Sequence, residues 1–405
     1  MLGAKYDFSS DHFFADPFEM YARMRVEDPV YWHPLLSMWI VTRYSDVRFL
    51  SRDPRLTAER VDAFFQGISQ AQADKIPVVR DFFAAWMVLM DPPAHTRIRS
   101  LINRAFSPRA ISKLTTEVEG IVESTLDKLP TGQEIDLIQT FAFPVPSNAI
   151  AVMLGIPPAD MKAFEGWARD AFRVITLIGD PDENVAVAHG AVMQLEEYLR
   201  QKILECRTSP RDDILSGLVH ASESGDSLTE RELVATCAML LNAAHATTAH
   251  LIGNAVLLLL THPAELDKLK KSPQLIDQCI EEVLRYDGAA PGILRAAKED
   301  MVIGEQRVPA GQLLLGMTHA ANRDPDVFDD PETFDIERGD ASRHIAFGHG
   351  PHVCLGAALA RMETQIAVGR LVARFPDLHM TTDVSELGWL HSLAVRGVTS
   401  LPVVL

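Results

Sequence analysis

The run LVATCAMLLNAAHATTAHLIGNAVLLLL, Leu233 to Leu260, restricts the fold more than any other part of the chain. Thr229 and Glu232 stand ahead of it as a capping box and Pro263 stops it, so a helix from Thr229 to about Thr261 is predicted. At ~1.5 Å per residue it is roughly 48 Å long. It is apolar on most faces, and a helix without a polar stripe has to be covered on all sides. The remaining chain must wrap it, and 405 residues, 47% of them hydrophobic, are enough to do so.

Shorter signals surround this helix. Pro17 opens an amphipathic helix, FEMYARMR, and Val30 to Trp32 and Met38 to Thr42 read as strands. Ser107 and Pro108 form an N-cap and first-turn proline ahead of apolar Ile111, Leu114, Val118, Ile121 and Val122. QLIDQCIEEVLRYD is a further helix, and strand-like runs flank the turn VPAG at Pro309. No repeat, low-complexity tract or Ser/Gly-rich linker divides the chain. The expected fold class is mainly α with small β-sheets, in one domain over residues 1–405.

Leu251 to Leu260 is the most apolar run; it is too short to span a bilayer and contains Asn254. The start, MLGAKYDFSSDHFF, lacks the basic flank and apolar core of a signal peptide, so a soluble, cytoplasmic protein is expected. A net charge of -17 and a pI near 5.2 argue against nucleic acid or an anionic membrane as the main partner. Basic residues gather in two places: Arg97, Arg99, Arg104, Arg109 and Lys113, and then Arg338, Arg343 and Arg361.

The four cysteines, Cys206, Cys237, Cys279 and Cys354, allow neither a CxxC zinc pair nor a redox dithiol. Cys354 lies alone in FGHGPHVCLG, Phe347 to Gly356. A thiolate there suits a large, flat metal centre, because Gly348, Gly350 and Gly356 remove the Cβ atoms that would keep the backbone away. Phe347, Val353 and Leu355 are expected to keep water from the sulfur. Taken alone, the loop also fits an inert cysteine buried in a glycine turn.

At every fixed position, Phe347-x-x-Gly350-x-His352-x-Cys354-x-Gly356 resembles the haem-thiolate loop of the cytochrome P450 family, and the resemblance runs from about Phe14 to Val404. It implies the single-domain fold of that family, with the long buried helix over the haem, and Cys354 as the axial ligand of haem b. Phe347, Gly348, Gly356 and Ala243 match haem-contacting positions. His95 and Arg99 in HTRIR, Arg295 in ILRAAKED and His352 match the family's partners of the two haem propionates. Read without the family, His95 and Arg99 are surface residues four apart on a helix.

Glu282 and Arg285 in EEVLR are a solvated salt bridge when read alone. The resemblance makes them a buried pair that locks the meander DDPETFDIER, with Arg338 as third member. NAAHATT, Asn242 to Thr248, reads as a packed helix of small residues, and its family counterpart is Ala/Gly-Gly-x-acid-Thr. Thr247 is kept and Thr248 follows it, but Ala246 stands where the acid belongs. Ala244 replaces the glycine, and some local opening of the helix is still expected.

The implied activity is a monooxygenase that hydroxylates or epoxidises a lipophilic small molecule, with electrons from a ferredoxin or flavodoxin and its reductase. The chain has no GxGxxG in a strand-to-helix setting. Arg99, Arg104, Arg109, Lys113, Arg343 and Arg361 are the expected docking face, on a protein expected to be monomeric. Substrate-facing segments by resemblance are Phe64 to Met87, Phe172 to Ile178, Leu240 to Thr247, Gly292 to Leu294 and Leu393 to Val395. A peroxide-driven haem enzyme, a haem protein that binds ligand without turnover, and a helical scaffold without haem are the rival readings.

Overall fold

A computed structural model describes residues 4–65, 67–106, 108–176, 180–223 and 225–405. The predicted long helix runs unbroken from Glu230 to Thr261. Its capping box is formed, with Glu232 N donating to Thr229 Oγ1 at 3.3 Å and Thr229 N to Glu232 Oε2 at 2.8 Å. The helix is apolar and long enough to cross a bilayer, but 67% of its most apolar window is buried by the protein itself. It is a core helix, as its lack of a polar stripe requires.

The chain falls into two compact units, the first made of Met1–Leu56, Val118–Pro146 and Ala246–Leu405, and the second of Thr57–Glu117 and Ser147–His245. In the first unit the predicted strands form as Val30–His33 and Met38–Val41, paired antiparallel. Leu313–Met317 lies parallel to Met38–Val41 and antiparallel to Gly292–Ala297. The hairpin Met301–Ile303 and Gln306–Val308 precedes the VPAG turn. A second sheet joins His379–Met380, Pro402–Val404 and Glu134–Asp136.

Two apolar clusters anchor these strands. Trp39, Val41, Leu314, Val47 and Leu50 pack with Ile345, which leads into the cysteine loop. Ile40, Leu315 and Met317, on alternate positions, face a cluster with Tyr21 and Met24 of the helix Phe18–Glu27. The period of two thus gives this sheet two buried faces. The helices Ile276–Asp287 and Ala357–Arg374 pack on each other in the same unit.

In the second unit the consecutive helices Pro158–Thr176 and Pro181–Thr208 pack together, the latter capped by Asp180, whose side chain accepts from Glu183 N at 2.9 Å. Helix Ala94–Ala105 meets helix Ile214–His220 at Gly217, where a Cβ would stand 3.3 Å from that of Ala105. The helix predicted after Pro108 is present as Pro108–Leu126, while its expected cap Ser107 lies outside the described residues.

Candidate active site

The loop around Cys354 is held by its own backbone. Cys354 N donates to Phe347 O at 2.8 Å, Gly348 N to Ile345 O at 2.9 Å and Val353 N to Gly350 O at 3.1 Å. Asn322 Oδ1 accepts from Ile345 N at 2.8 Å and ties the entry of the loop to the meander side. Gly348 and Gly350 have φ of +71° and +76°, which side chains with a Cβ rarely adopt. A Cβ on Gly350 would also lie 2.7 Å from Ser51 O. That glycine is required by the neighbouring chain, so its role differs from the expected clearing of space for a ligand. Gly356, at φ -85°, caps the helix Ala357–Arg374, and a Cβ there would meet nothing within 4 Å.

Cys354 is exposed, whereas Cys206, Cys237 and Cys279 are buried. Burial pushes the thiols of Cys237 and Cys279 up to about 12, so neither is a thiolate at neutral pH. Val353 is 40% exposed. Phe347 and Leu355 are partly buried, and Cys354 stands just ahead of the N-terminus of helix Ala357–Arg374.

Glu282 and Arg285 are both wholly buried, which overturns the solvated-bridge reading and bears out the family's. Arg285 Nε and Nη2 each donate to the Glu282 carboxylate at 2.7 Å. Arg338 Nε donates to Glu282 Oε1 at 3.2 Å, and Asp335 N to the same oxygen at 3.1 Å. The remaining guanidinium protons go to meander carbonyls: Arg285 to Asn322, Pro331 and Thr333, and Arg338 to Asp329, Asp330 and Thr333. The backbone at Asn322, Asp329, Asp330, Pro331, Thr333 and Asp335 is thus pinned to one ion cluster. A carboxylate and two cations can be buried here because their hydrogen-bonding groups are answered so fully.

The four expected propionate partners occupy different settings. His95 is buried and Arg99 partly buried on helix Ala94–Ala105 of the second unit. In the first unit, Arg295 is buried on strand Gly292–Ala297 and donates to Leu294 O at 2.8 Å, and His352 is partly buried in the short turn Gly350–His352. At the centre of the long helix, Ala243 is exposed, Ala246 and Thr247 are partly buried and Thr248 is buried. The helix stays α-helical through all of them, so the expected local opening is not present. Alanine at position 244 has the strongest helix preference of any residue and gives no reason for a break.

His245 is visible in NAAHATT as a side chain able to titrate near neutral pH, but its partners and the other contacts described next are not legible in the sequence. His245 Nε2 lies 2.6 Å from Ser147 Oγ and 3.8 Å from Glu165 Oε1, all within the second unit. Burial holds its imidazole below the ordinary range, with Glu165 opposing, so it is neutral at pH 7. On helix Ala357–Arg374, Glu363 is buried and its carboxyl is pushed up to about 8 by that burial. Arg361, expected on a docking face, is bound by Glu281, and Lys113 lies 3.5 Å from an Asp212 carboxylate oxygen. The glutamate doublet in EEVLR was the available signal for Glu281; nothing in the sequence singles out Glu165 or Ser147.

The donor set at Cys354 fits haem b. Its thiol is reachable, the loop is free of side-chain bulk at Gly348 and Gly356, and among the described residues no group of three or more His, Cys, Asp or Glu side chains could hold a metal ion in another way. Comparison with known proteins agrees. The model of the family described as cytochrome P450 matches residues 65–387. Cytochrome P450 107B1 of Saccharopolyspora erythraea is 40% identical over 399 residues, covering 97% of this chain and 96% of the relative. The vitamin D(3) 25-hydroxylase of Pseudonocardia autotrophica is 38% identical, with 98% and 96% covered. The solved structure of the bacillaene polyketide synthase cytochrome P450 PksS of Bacillus subtilis superimposes with a TM-score of 0.89 at 34% identity, covering 99% of each chain. With a cysteine loop of this geometry, a buried Glu-Arg-Arg cluster behind it and likeness along the whole chain, the protein belongs to the cytochrome P450 family.

Proposed function

We propose that Cys354 carries the haem, that His95, Arg99, Arg295 and His352 receive its propionates, and that Phe347, Gly348, Gly356 and Ala243 border it, residues 1–405 acting as one haem domain. As a cytochrome P450 the chain is a haem b monooxygenase acting on lipophilic small molecules. Haem held by Cys354 would supply the activation of dioxygen. The protein's share is to hold that ligand, place the substrate and manage protons. The observation that carries the assignment is the accessible thiol of Cys354 in a loop locked by its own hydrogen bonds. The test is the spectrum of the reduced protein under carbon monoxide. The strongly red-shifted band of thiolate ligation is expected, and Cys354→His should abolish it; a band unchanged in that variant would show that another group binds the iron.

The substrate class is a polyketide- or sterol-like molecule, in line with the relatives named for such compounds and with the apolar makeup of the segments matching the family's substrate-facing positions. Electrons come from a ferredoxin or flavodoxin with its reductase, and the protein acts as a cytoplasmic monomer. Of the basic residues, Arg104, Lys113 and Arg343 are exposed and are the candidates for steering an acidic partner, while the side chain of Arg109 lies outside the described residues.

Proton handling favours a second, peroxide-driven mode. Ala246 holds no proton, and His245 is neutral and engaged with Ser147. Thr247 can hold a hydrogen bond but cannot supply protons by ionising. Hydrogen peroxide brings its own protons, so turnover with peroxide is the expected companion activity.

A further inference from the structure

Resting on the haem reading above, we propose that Glu281 is a positioning residue for the haem-thiolate centre: through Arg361 it fixes the ring of Phe347 and cancels a positive charge beside the loop of Cys354. Glu281 lies on helix Ile276–Asp287, one residue before the buried Glu282. Its carboxylate accepts from Arg361 Nε at 2.5 Å and from Arg361 Nη2 at 3.0 Å, a bidentate pair to the helix Ala357–Arg374 that follows the loop. His344 adds a third bond. Its Nδ1 accepts from Ala346 N at 3.1 Å, which places the proton on Nε2, and Nε2 donates to Glu281 Oε2 at 3.2 Å.

The far side of the Arg361 guanidinium faces Phe347, with 4.7 Å from Cζ to the ring centroid. The His344 ring stands 6.1 Å from the same ring. Phe347 is the residue whose carbonyl accepts the Cys354 amide. Glu281, Arg361, Phe347 and Cys354 are therefore linked by direct contacts, and the link begins with an acid.

Burial opposes ionisation of Glu281, but the hydrogen bonds from His344 and Arg361 outweigh it and hold the carboxyl at about 2. The pair is thus charge-balanced at any working pH. Removing either member leaves an uncancelled charge close to the thiolate loop. A unit charge at about 10 Å in a medium of effective dielectric about 20 changes a one-electron equilibrium on the order of tenfold.

The test is potentiometric titration of haem-loaded wild type, Glu281→Gln, Arg361→Gln and the double variant. Glu281→Gln should move the iron toward the reduced form by about tenfold, about 59 mV upward. Arg361→Gln should move it by a similar factor in the opposite direction, and the double variant should return to within about twofold of wild type. Two single variants that shift in the same direction, or both remain within about twofold, overturn the proposal. If a single variant is recovered without haem, the double decides: restored haem content supports the balanced pair, and continued loss refutes it. The carbon monoxide band of the wild type tests the haem assignment separately.

Discussion

Replacing Glu363 by glutamine should remove a pH-dependent penalty from the folded protein. Glu363 is 3% exposed on the helix behind Cys354, and its Oε2 has no hydrogen-bond partner among the described residues. Burial pushes the carboxyl from an ordinary 4.5 up to about 8. In the unfolded chain the proton leaves near 4.5, while the folded protein keeps it until about 8, so between these values the folded state binds one proton more. Stability therefore falls as pH rises through that window, by ~1.4 kcal/mol per unit and by roughly 5 kcal/mol in all as an upper figure. Glutamine keeps the shape and does not titrate. Its own desolvation cost is the same at every pH and cancels when two pH values are compared. With a chain of this length about 1 kcal/mol corresponds to about 1 °C in Tm. The advantage of Glu363→Gln over wild type, followed by thermal unfolding of the haem-loaded proteins, should grow by about 4 °C between about pH 5.5 and pH 8. A Tm difference that stays constant across that range would refute the reasoning, because it would mean that the folded carboxyl ionises as it does in the unfolded chain.

Glu282→Ala leaves two guanidiniums buried without their carboxylate, which costs about 3–5 kcal/mol, and the variant should be recovered with little haem; normal haem content would count against the cluster as the support of the loop. Gly350→Ala combines a positive φ with a Cβ 2.7 Å from Ser51 O, so a loss on the order of 1–3 kcal/mol and weaker haem retention are expected from unfolding and haem-transfer measurements. Ala246→Glu or Ala246→Asp should raise the share of reducing equivalents recovered in product while leaving peroxide-driven turnover little changed. Tight coupling in the wild type across unrelated substrates, lowered by either replacement, would point to a different proton route.

The long helix and the Cys354 loop were legible in the sequence because each is specified locally. A capping box, a proline stop and continuous apolarity define Glu230–Thr261 without reference to anything distant. The fixed spacing of Phe347, Gly350, His352, Cys354 and Gly356 likewise depends on one short stretch of chain, and the first two strands followed from runs of three and five residues. The Glu282–Arg285 pair was visible as a spacing, but whether it was a surface bridge or a buried anchor was not. That depended on Arg338 and the meander carbonyls arriving from about 50 residues away.

Other features were out of reach of the sequence for the same reason. Gly350 looked like clearance for a ligand, and only the approach of Ser51 shows that the protein itself needs the space. That Glu281 holds Arg361, and that Glu363 is removed from water, are likewise set by neighbours distant in sequence. By itself the sequence determined the elements, the thiol and the family, since periodicity, caps and motif spacing act over a few residues. The tertiary structure alone decided which charges are paired, which carboxyl keeps its proton and which glycine is indispensable, because solvation and Coulomb interactions depend on neighbours that are distant along the chain.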